Sequence, residues 1–371
     1  MVPYNIAWLP GDGIGKECCE AARLVLDAVG FEANYEHGDI GWEFWRTEGD
    51  ALPERTIELL KRTDAAFFGA ITSKPAAIAT TELVPELRDK GLIYRSPIVR
   101  MRQMLDLYTC LRPCRALAGN PLNYRDNIDI VVFRENTEGM YIGVEFNKVP
   151  DSFYAEPAMK RIPREAAISI RSITHEGSER IVRAAFEFAV RNGRKKVTAV
   201  HKANVLRATD GVFLEAAQSV AREFPQIEFD TANVDAICMW LLKNPASYDV
   251  IVTTNLFGDI LSDLCAQMVG GMGFAASGNI GDHYAVFEPT HGSAPKYAGK
   301  NKVNPIATIL AAKMMLDWLG QKERAARIDA AVTAVIAEGR VRTYDLGGAN
   351  TCSEMAQAIA EKVASASAAV V

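Results

Sequence analysis

The chain has 371 residues, of which 49% are hydrophobic and 23% are charged, the balance of a globular protein with about two domains. Its formal net charge of −5 argues against nucleic acid as the main partner, because phosphate binding needs a basic face. No apolar run reaches the roughly 18 residues that cross a membrane, and the first residues lack the charged start and apolar block of a signal peptide. The seven cysteines are scattered without a Cys-x-x-Cys pair, which argues against a zinc cluster or a disulfide framework and predicts a cytoplasmic protein.

Short apolar runs alternate with long amphipathic stretches along the chain, which predicts strands that alternate with helices. The predicted strands are residues 5–9, 65–69, 128–133, 197–200, 250–253 and 285–287. The predicted helices are residues 16–29, 53–61, 178–191, 211–224, 259–268 and 306–319. Polar loops follow several of these strands, and ligands of α/β sheets bind beyond the carboxyl ends of strands. We therefore expect the chemistry of this protein in those loops.

A glycine-rich loop follows the first predicted strand and precedes the first predicted helix. Its glycines are Gly11, Gly13 and Gly15, whereas the dinucleotide fingerprint Gly-x-Gly-x-x-Gly requires a glycine where Lys16 stands. The loop is either a ligand-binding turn or simply a tight connection between strand and helix. In both cases it is not a standard Rossmann site.

Two carboxylates, Asp259 and Asp263, are four residues apart in a predicted helix and so lie on one helical face. Like charges at this spacing repel, and ligation of Mg²⁺ or Mn²⁺ would compensate for that repulsion. The alternative is an acidic stripe in solvent. Asp235 is a weaker third candidate. The buried face of the same helix is predicted to hold Ile260, Leu261 and Leu264.

Basic residues that could bind carboxylates stand near strand ends. Guanidinium groups bind carboxylates in a bidentate manner, so arginines that converge on a cleft would indicate a di- or tricarboxylate substrate. Taken singly, each is better explained as a surface arginine. The candidates are Arg100, Arg102, Arg112 and Arg134.

Lys202 ends a predicted strand, and near a divalent cation its ammonium form would be disfavoured, so that it could act as a general base. Tyr141 is a candidate proton donor, or else an aromatic residue of the core or of an interface.

Five motifs together resemble those of the β-decarboxylating dehydrogenases, the family of isocitrate, homoisocitrate and 3-isopropylmalate dehydrogenases. The resemblance runs from residue 5 to about residue 360, and the last two motifs are highly specific. The motifs are Gly11-Asp-Gly-Ile-Gly, Arg134-Glu-Asn-Thr-Glu-Gly-Met-Tyr, His201-Lys-Ala-Asn-Val, Asn255-Leu-Phe-Gly-Asp-Ile-Leu-Ser-Asp and His291-Gly-Ser-Ala-Pro.

The resemblance implies two α/β domains that share a continuous sheet, as in isopropylmalate dehydrogenase, and no standard Rossmann fold. The large, cofactor-binding domain would comprise residues 1–107 and 270–371. The small domain, residues 108–269, would carry the dimer interface, the metal and catalytic residues, and a clasp arm at about residues 147–163. The family implies a homodimer, or a larger assembly, with active sites shared between subunits.

The roles of the site residues are also implied by the resemblance. Tyr141 and Lys202 would be catalytic, with Lys202 as the base and Tyr141 as the donor that protonates the enol. The residues implied to bind the substrate are Ser96, Arg102, Arg112 and Arg134. The residues implied to hold Mg²⁺ or Mn²⁺ are Asp259, Asp263 and, from the partner chain, the equivalent of Asp235.

The segment after His291 would bind the dinucleotide. A lysine and a tyrosine at positions 296 and 297 resemble the NADP-linked enzymes, although Gly348 stands where they carry an arginine. NADP is therefore favoured over NAD. The residues implied to bind the cofactor are Ile71, Thr72, His291, Gly292, Ser293, Ala294, Lys296, Tyr297, Val303, Asn304 and Tyr344.

The sequence allows the candidate substrates of this family to be ranked, but it does not identify one of them. Ser96 resembles the isocitrate enzymes, but Ile98 replaces their asparagine, and Arg100 could contact a distal carboxylate. Isocitrate comes first and homoisocitrate close behind, followed by 3-isopropylmalate, tartrate or D-malate. A regulatory subunit without catalysis is the remaining alternative within the family.

Overall fold

The computed structural model describes residues 3–368, apart from the side chains of residues 76 and 366–368. Within this range the strands are β1 (Tyr4–Gly11), β2 (Ala33–His37), β3 (Ala65–Ala70), β4 (Thr109–Arg115), β5 (Asp129–Glu135), β6 (Glu145–Phe146), β7 (Ile168–Ser169), β8 (Lys196–His201), β9 (Glu228–Asn233), β10 (Val250–Thr253), β11 (Ala276–Ile280) and β12 (Ala285–Pro289).

The α-helices of the same range are α1 (Gly15–Ala28), α2 (Trp42–Glu48), α3 (Glu54–Arg62), α4 (Ala76–Thr81), α5 (Pro97–Met104), α6 (His175–Arg191), α7 (Thr209–Ala221), α8 (Val234–Lys243), α9 (Asn255–Gln267), α10 (Ile306–Trp318), α11 (Lys322–Glu338) and α12 (Cys352–Ala368). None of the helices in residues 3–368 is both long and apolar enough to cross a membrane.

The fold is of the α/β class. Ten strands form a mixed sheet in the order β2-β1-β3-β12-β11-β4-β5-β10-β8-β9, and β6 pairs with β7 in a separate antiparallel ladder. This order does not follow the doubly wound Rossmann arrangement, in which the strands run 3-2-1-4-5-6. The predicted α/β class with a large sheet and no standard Rossmann fold is confirmed.

By their contacts, the residues divide into two compact units, one of residues 1–131 and 262–371 and the other of residues 132–261. The domain limits and roles expected from the sequence, 1–107 with 270–371 and 108–269, stay a prediction.

The first unit is built around β1. This strand pairs in parallel with β2 and β3, while β11 runs antiparallel to β12 and β4. Helices α1, α10, α11 and α12 bury their apolar faces in one core with these strands, in which Phe67, Phe287 and Met315 are fully buried. Burial of apolar side chains at about 25 cal/mol per Å² is what stabilises such a layer.

The glycine loop lies in this first unit and joins β1 to α1. Gly13 has a φ of +57°, and a Cβ atom there would lie 2.0 Å from the backbone oxygen of Ser293. Only glycine permits this close approach. The loop is thus held directly against the segment that the sequence assigns to the cofactor.

The second unit is built around β8, which pairs in parallel with β9 and β10. Phe186 of α6 and Phe213 of α7 are fully buried in it. The β6–β7 ladder lies just outside the two ends of the segment predicted as an arm, and the segment itself contains short 3₁₀ turns at Asp151–Ala155 and Pro157–Arg161.

The six predicted strands and six predicted helices all exist, and their ends differ from the prediction by a few residues at most. The largest shift at a helix start is in α9, which begins at Asn255 and not at Asp259. The prediction that Ile260 is buried was wrong: its exposed fraction is 53%, whereas Leu261 is fully buried. Helical spacing fixes which residues share a face, but neighbouring elements decide which residues at the edge of that face are covered.

Candidate active site

Arg134, at the end of β5, is the centre of the candidate site in the second unit. Its side chain is almost completely buried. The Nε and Nη2 atoms donate to Oδ1 of Asn255 at 3.1 and 2.8 Å, and Nη1 donates to Oδ1 of Asp259. A buried guanidinium needs such partners, because an unpaired buried charge costs several kcal/mol. The start of α9 therefore fixes the orientation of this arginine.

Tyr141 completes the same cluster. Its hydroxyl donates to Oδ2 of Asp259 at 2.5 Å, and its ring lies 4.9 Å from the guanidinium carbon of Arg134. Burial raises the pKa of Tyr141, and the hydrogen bond to Asp259 raises it further. The hydroxyl is thus protonated at neutral pH and available as a proton donor. The structure brings these three predicted site residues together.

Lys202 and Asp235 form a second pair in this unit. The lysine Nζ donates to Oδ1 of Asp235, and this pairing lowers the pKa of the Asp235 carboxyl. The backbone of Lys202 is anchored as well, because its N–H donates to Oδ2 of the buried Asp210 at 2.6 Å. Arg171 in turn donates to Oδ1 of Asp210, so that the buried carboxylate is neutralised. The lysine is therefore held at a defined place after β8.

The first unit carries the other two predicted substrate arginines. Arg112 of β4 donates from Nη1 to Oγ of Ser262 at 2.6 Å and to Oδ1 of Asp263 at 3.2 Å. Arg102 of α5 is buried and donates to Asn279 Oδ1 at 2.9 Å.

A carboxylate also neutralises Arg102, whose Nη2 lies 3.2 Å from Oε1 of Glu288. Glu288 and Asn279 are joined at 2.7 Å, so the three groups form one buried network. Such a network holds the guanidinium rigidly in one orientation.

The carboxylates of Asp259 and Asp263 are one helical turn apart on α9, and both are partly exposed. Paired carboxylates of this kind are ligands that Mg²⁺ and Mn²⁺ accept, and arginines balance their charge in this chain. Within residues 3–368, no group of three or more His, Cys, Asp and Glu side chains is arranged to hold a metal ion. The three-aspartate metal site, with Asp235 from a partner, stays a prediction.

The segments predicted to bind the cofactor lie against one another in the first unit. Ser293 donates its backbone N–H to the carbonyl of Ile71 at 3.2 Å, and its hydroxyl lies 2.6 Å from that of Thr72. Oδ2 of Asp12, in the glycine loop, accepts from the N–H of Thr72 at 2.8 Å. Ala294 has the left-handed φ of +35°, which turns the chain sharply after Ser293. Three separate stretches of sequence thus converge here.

A cluster of two tyrosines and a lysine follows this turn. The rings of Tyr297 and Tyr344 stack with centroids 5.5 Å apart, and Nζ of Lys296 lies 5.0 Å from the Tyr297 ring. Asn304 donates to Oδ2 of Asp345 at 3.0 Å, and Val303 is buried beside it. The remaining predicted cofactor residues are His291, whose ring Nδ1 lies 3.1 Å from the carbonyl of Gly292, and the exposed Gly292 itself.

The absence of an arginine at position 348 has a structural reason. A Cβ atom on Gly348 would lie 2.1 Å from the backbone oxygen of Arg342. This position therefore requires glycine unless the backbone shifts, and an arginine does not fit here.

The residues predicted to read the distal part of the substrate lie around α5. Ser96 precedes the helix and makes no side-chain capping bond. Ile98 packs against an apolar core, and Arg100 is paired with Asp50. Arg100 is thus held by a carboxylate and does not simply face solvent.

Several residues of the candidate site were missed from the sequence. Asn255 and Ser262 orient Arg134 and Arg112, Asp210 fixes the backbone of Lys202, and Asp12 joins the glycine loop to Thr72. The position of Asn255 in the polar loop that the sequence predicts after β10 was a usable signal. The roles of Ser262 and Asp210 depend on contacts across the fold that no local pattern contains.

Comparison with known proteins supplies the family. The sequence matches the isocitrate/isopropylmalate dehydrogenase family over residues 5–359. It is 44% identical over 354 residues to a homoisocitrate dehydrogenase of Methanocaldococcus jannaschii, an alignment that covers 93% of each chain. The chain belongs to the isocitrate/isopropylmalate dehydrogenase family. The predicted resemblance is therefore confirmed, and the protein is a member of a family of oxidatively decarboxylating dehydrogenases.

A solved structure agrees with this family assignment. The crystal structure of isocitrate dehydrogenase from Methylococcus capsulatus superposes with a TM-score of 0.86 at 40% identity, covering 97% of this chain and 99% of that one. Protein DlpA of Legionella pneumophila is 41% identical over 98% of this chain, which spans 59% of the length of DlpA. Two of these family members are named after different hydroxy acid substrates, so similarity alone does not identify the substrate of this chain.

Proposed function

We propose that the chain catalyses the metal-dependent oxidative decarboxylation of a 2-hydroxy acid of the malate type to a 2-oxo acid, CO₂ and NAD(P)H. We place isocitrate first and homoisocitrate second. The observation that carries the proposal is the cluster of Arg134, Tyr141 and Asp259, in which a buried cation, a protonated hydroxyl and a carboxylate lie in direct contact. A regulatory subunit without catalysis would have no need to keep all three.

In this proposal the arginines bind carboxylates of the substrate. Arg102, Arg112 and Arg134 are each oriented by buried polar partners, so little conformational entropy would be lost on binding. Guanidinium groups held in this way favour planar, bidentate recognition of carboxylates.

Lys202 would accept the proton of the substrate hydroxyl while hydride leaves the same carbon for the nicotinamide. After CO₂ has left, Tyr141 would protonate the enol carbon. The raised pKa of Tyr141 supports the second role, since the hydroxyl stays protonated at neutral pH.

Asp259 and Asp263, with Asp235 of a neighbouring chain, would hold Mg²⁺ or Mn²⁺. When bound, the cation would lower the pKa of the substrate hydroxyl and stabilise negative charge as it develops. The arginine partners of Asp259 and Asp263 would then be released toward the substrate, which brings its own carboxylates.

The acid would be selected around α5. Half-buried Ile98 packs into the apolar core, which leaves less of its surface for an apolar substrate group and weighs against 3-isopropylmalate. The pairing of Arg100 with Asp50 keeps a cation near Ser96 for a distal carboxylate, which favours isocitrate or homoisocitrate.

For the cofactor we propose NADP over NAD. The support is the cluster of Lys296, Tyr297 and Tyr344, where an ammonium and two phenols would suit a 2′-phosphate. A relative from Caenorhabditis elegans, 39% identical over 97% of this chain and 92% of its own, is named a probable NAD isocitrate dehydrogenase subunit alpha. NAD therefore remains the alternative in the experiment below.

We further propose a homodimer with shared active sites and a cytoplasmic location. Five large apolar side chains of α8 and α9 are exposed, and we infer that these two helices take part in an interface between proteins. They are Met239, Trp240, Leu242, Leu256 and Ile260. The seven cysteines are all free thiols, which suits a reducing compartment.

The test is a matrix of initial rates of reduced-nicotinamide formation with Mn²⁺. It crosses NADP⁺ and NAD⁺ with isocitrate, homoisocitrate, 3-isopropylmalate, D-malate and tartrate. We expect the NADP⁺–isocitrate combination to dominate. A dominant 3-isopropylmalate column would contradict the proposed acid, and dominant NAD⁺ rates would contradict the proposed cofactor. No rate in any combination from folded protein would favour the regulatory subunit.

A further inference from the structure

Two cysteines far apart in the sequence meet beneath the predicted cofactor segment. Cys18 of α1 and Cys352, the first residue of α12, are 0% and 1% exposed and share one small buried cluster. The N–H of Cys352 donates to the carbonyl of Asn301 at 3.0 Å, which ties the start of α12 to the loop before Val303. The neighbouring Cys19 lies in a different cluster, the main core of the unit.

The environment makes the two thiols chemically unequal. The Cys352 thiol donates to Cys18, and together with nearby His291 this outweighs burial and lowers the pKa of Cys18 to about 5. The same contact and burial raise the pKa of Cys352. At neutral pH Cys18 is thus a thiolate beside a protonated thiol. Burial raises the pKa of Cys19, and the charges of Cys18 and Glu20 raise it further, so Cys19 stays an unreactive thiol.

A cleft in the first unit reaches Cys352, whereas Cys18 does not line it. Its volume is about 490 Å³, and Cys352 forms part of its wall together with Gly13, Lys16 and Ser353. This volume is more than ten times the roughly 30 Å³ that one water molecule occupies in the liquid, so the cleft has room for hydrogen peroxide. The reactive sulfur of Cys18 is therefore separated from the cleft by the side chain of Cys352.

We propose that Cys18 and Cys352 are a peroxide-sensitive modification site, whose oxidation to a disulfide weakens dinucleotide binding. The Cys18 thiolate attacks one oxygen of the peroxide, the O–O bond breaks, and hydroxide leaves a sulfenic acid on Cys18. The sulfur of Cys352 then attacks that sulfenic sulfur, the S–S bond forms, and water leaves with the thiol proton. In sum, two thiols and one peroxide give one disulfide and two waters.

The link to the dinucleotide is structural and rests on the proposed function of the segment after His291. Ala294 and Tyr297 pack directly against the cluster that contains both cysteines. In addition, the N–H of Ile14, four residues before Cys18, donates to the carbonyl of Ser293 at 2.9 Å. Closing a disulfide brings two sulfurs from non-bonded contact to about 2.05 Å, and in this proposal α1 and α12 move with them. The buried cluster against which Ala294 and Tyr297 pack then changes position.

The experiment treats reduced full-length protein with hydrogen peroxide, blocks the remaining thiols by alkylation, and maps the peptides by mass spectrometry. Binding of NADPH and of NADH is titrated by fluorescence before oxidation, after it, and after reduction with dithiothreitol. The variants are Cys18→Ala and Cys352→Ala. Cys19→Ala is the matched control, since it removes an adjacent buried thiol from the same helix.

We expect a peptide pair joined through Cys18 and Cys352, and a dissociation constant at least fivefold higher that dithiothreitol restores. Cys18→Ala and Cys352→Ala should bind the dinucleotide without a response to peroxide, and Cys19→Ala should respond as the wild type does. Failure to find the joined peptides, or a joined pair with unchanged affinity, overturns the proposal. If reduced protein binds neither dinucleotide, the proposed function has failed, and the peptide map still decides the thiol chemistry separately.

Discussion

At the scale of single residues, the candidate site works by pairing each charge with a fixed partner. Arg134 is held by Asn255, and Lys202 is held through its backbone by Asp210. Because these partners are themselves buried or hydrogen-bonded, the reactive groups have few alternative orientations. Substitution of the partly exposed Lys202 should therefore change rates more than it changes folding.

Replacing the proposed base is the most direct residue-scale test. We predict that Lys202→Met lowers kcat by about 10²–10⁴-fold, the usual contribution of a positioned general base. The matched control is Lys196→Met at the start of β8, the strand that Lys202 follows, because the side chains of Lys196 and Lys202 are similarly exposed, at 21% and 23%, and both are ion-paired. Steady-state rates with circular dichroism as a folding check make the comparison. Near-normal turnover in Lys202→Met would remove the base assignment.

His201 gives a prediction about pH. Burial lowers the pKa of this histidine, and its Nδ1 accepts from the N–H of Ala203 at 3.1 Å, as a neutral ring does. The unfolded chain, with a histidine pKa of about 6.5, therefore takes up a proton before the folded chain as pH falls, and stability decreases with it.

The measurement is urea unfolding at about pH 7.5 and about pH 6, on either side of the ordinary histidine pKa. We expect His201→Gln to lose less free energy of unfolding than the wild type between these two values. His37→Gln, which changes an exposed histidine, should lose as much as the wild type. Equal losses in all three proteins would contradict the burial argument.

At the scale of elements, the site depends on how closely β5 approaches α9. A Cβ atom on Gly258 would lie 2.5 Å from Cγ of Arg134, so the arginine crosses the helix where there is no side chain. Glycine usually weakens a helix interior by about 0.5–1 kcal/mol relative to alanine. Gly258 has this effect on α9 as well, but a larger residue would clash with the side chain of the buried Arg134.

Alanine substitutions at two helical glycines, one crowded and one open, test whether Arg134 requires the space at Gly258. We predict that Gly258→Ala destabilises the protein by about 1–3 kcal/mol through overpacking and also raises the KM for the acid, since Arg134 is displaced. Gly211→Ala in α7 meets no atom within 4 Å and should instead stabilise the protein by about 0.5–1 kcal/mol. Thermal unfolding and steady-state kinetics supply both readouts. A stabilised Gly258→Ala variant with an unchanged KM would refute the packing argument.

At the scale of the whole molecule, the exposed face of α8 and α9 determines the assembly that we propose. Ile260 and Met239 are 53% and 67% exposed, and an interface with a second copy would cover large apolar side chains of this kind. Burying them against a second copy would recover free energy at about 25 cal/mol per Å².

We predict that Ile260→Arg converts a dimer into monomers, because a charge would be buried without a partner in the interface. Sedimentation velocity measures the change. Leu122→Arg, at an exposed leucine of the other unit, is the control and should leave the assembly intact. A wild-type protein that sediments as a monomer would contradict the proposed dimer outright.

Shared active sites can be tested by complementation. Lys202→Met and Tyr141→Phe should each be inactive alone, but a mixed dimer of the two variants would contain one intact site if Lys202 serves its neighbour. Coexpression should then restore up to about a quarter of wild-type activity, since half of the dimers are mixed and each has one of two sites. No recovery from a demonstrated mixed dimer would mean that each chain uses its own lysine.

The sequence alone determined the α/β class, the six strands and six helices it predicted, and the family, because periodicity and local motifs encode these features directly. Asp259 and Asp263 share a helical face for the same local reason. Only the tertiary structure decided that Ile260 is exposed, that Asn255 opens α9 beneath Arg134, and that Gly348 is excluded from carrying a side chain. It also decided that Cys18 meets Cys352. These features depend on contacts between segments far apart in the chain, and no local pattern fixes which distant neighbour will cover a given side chain.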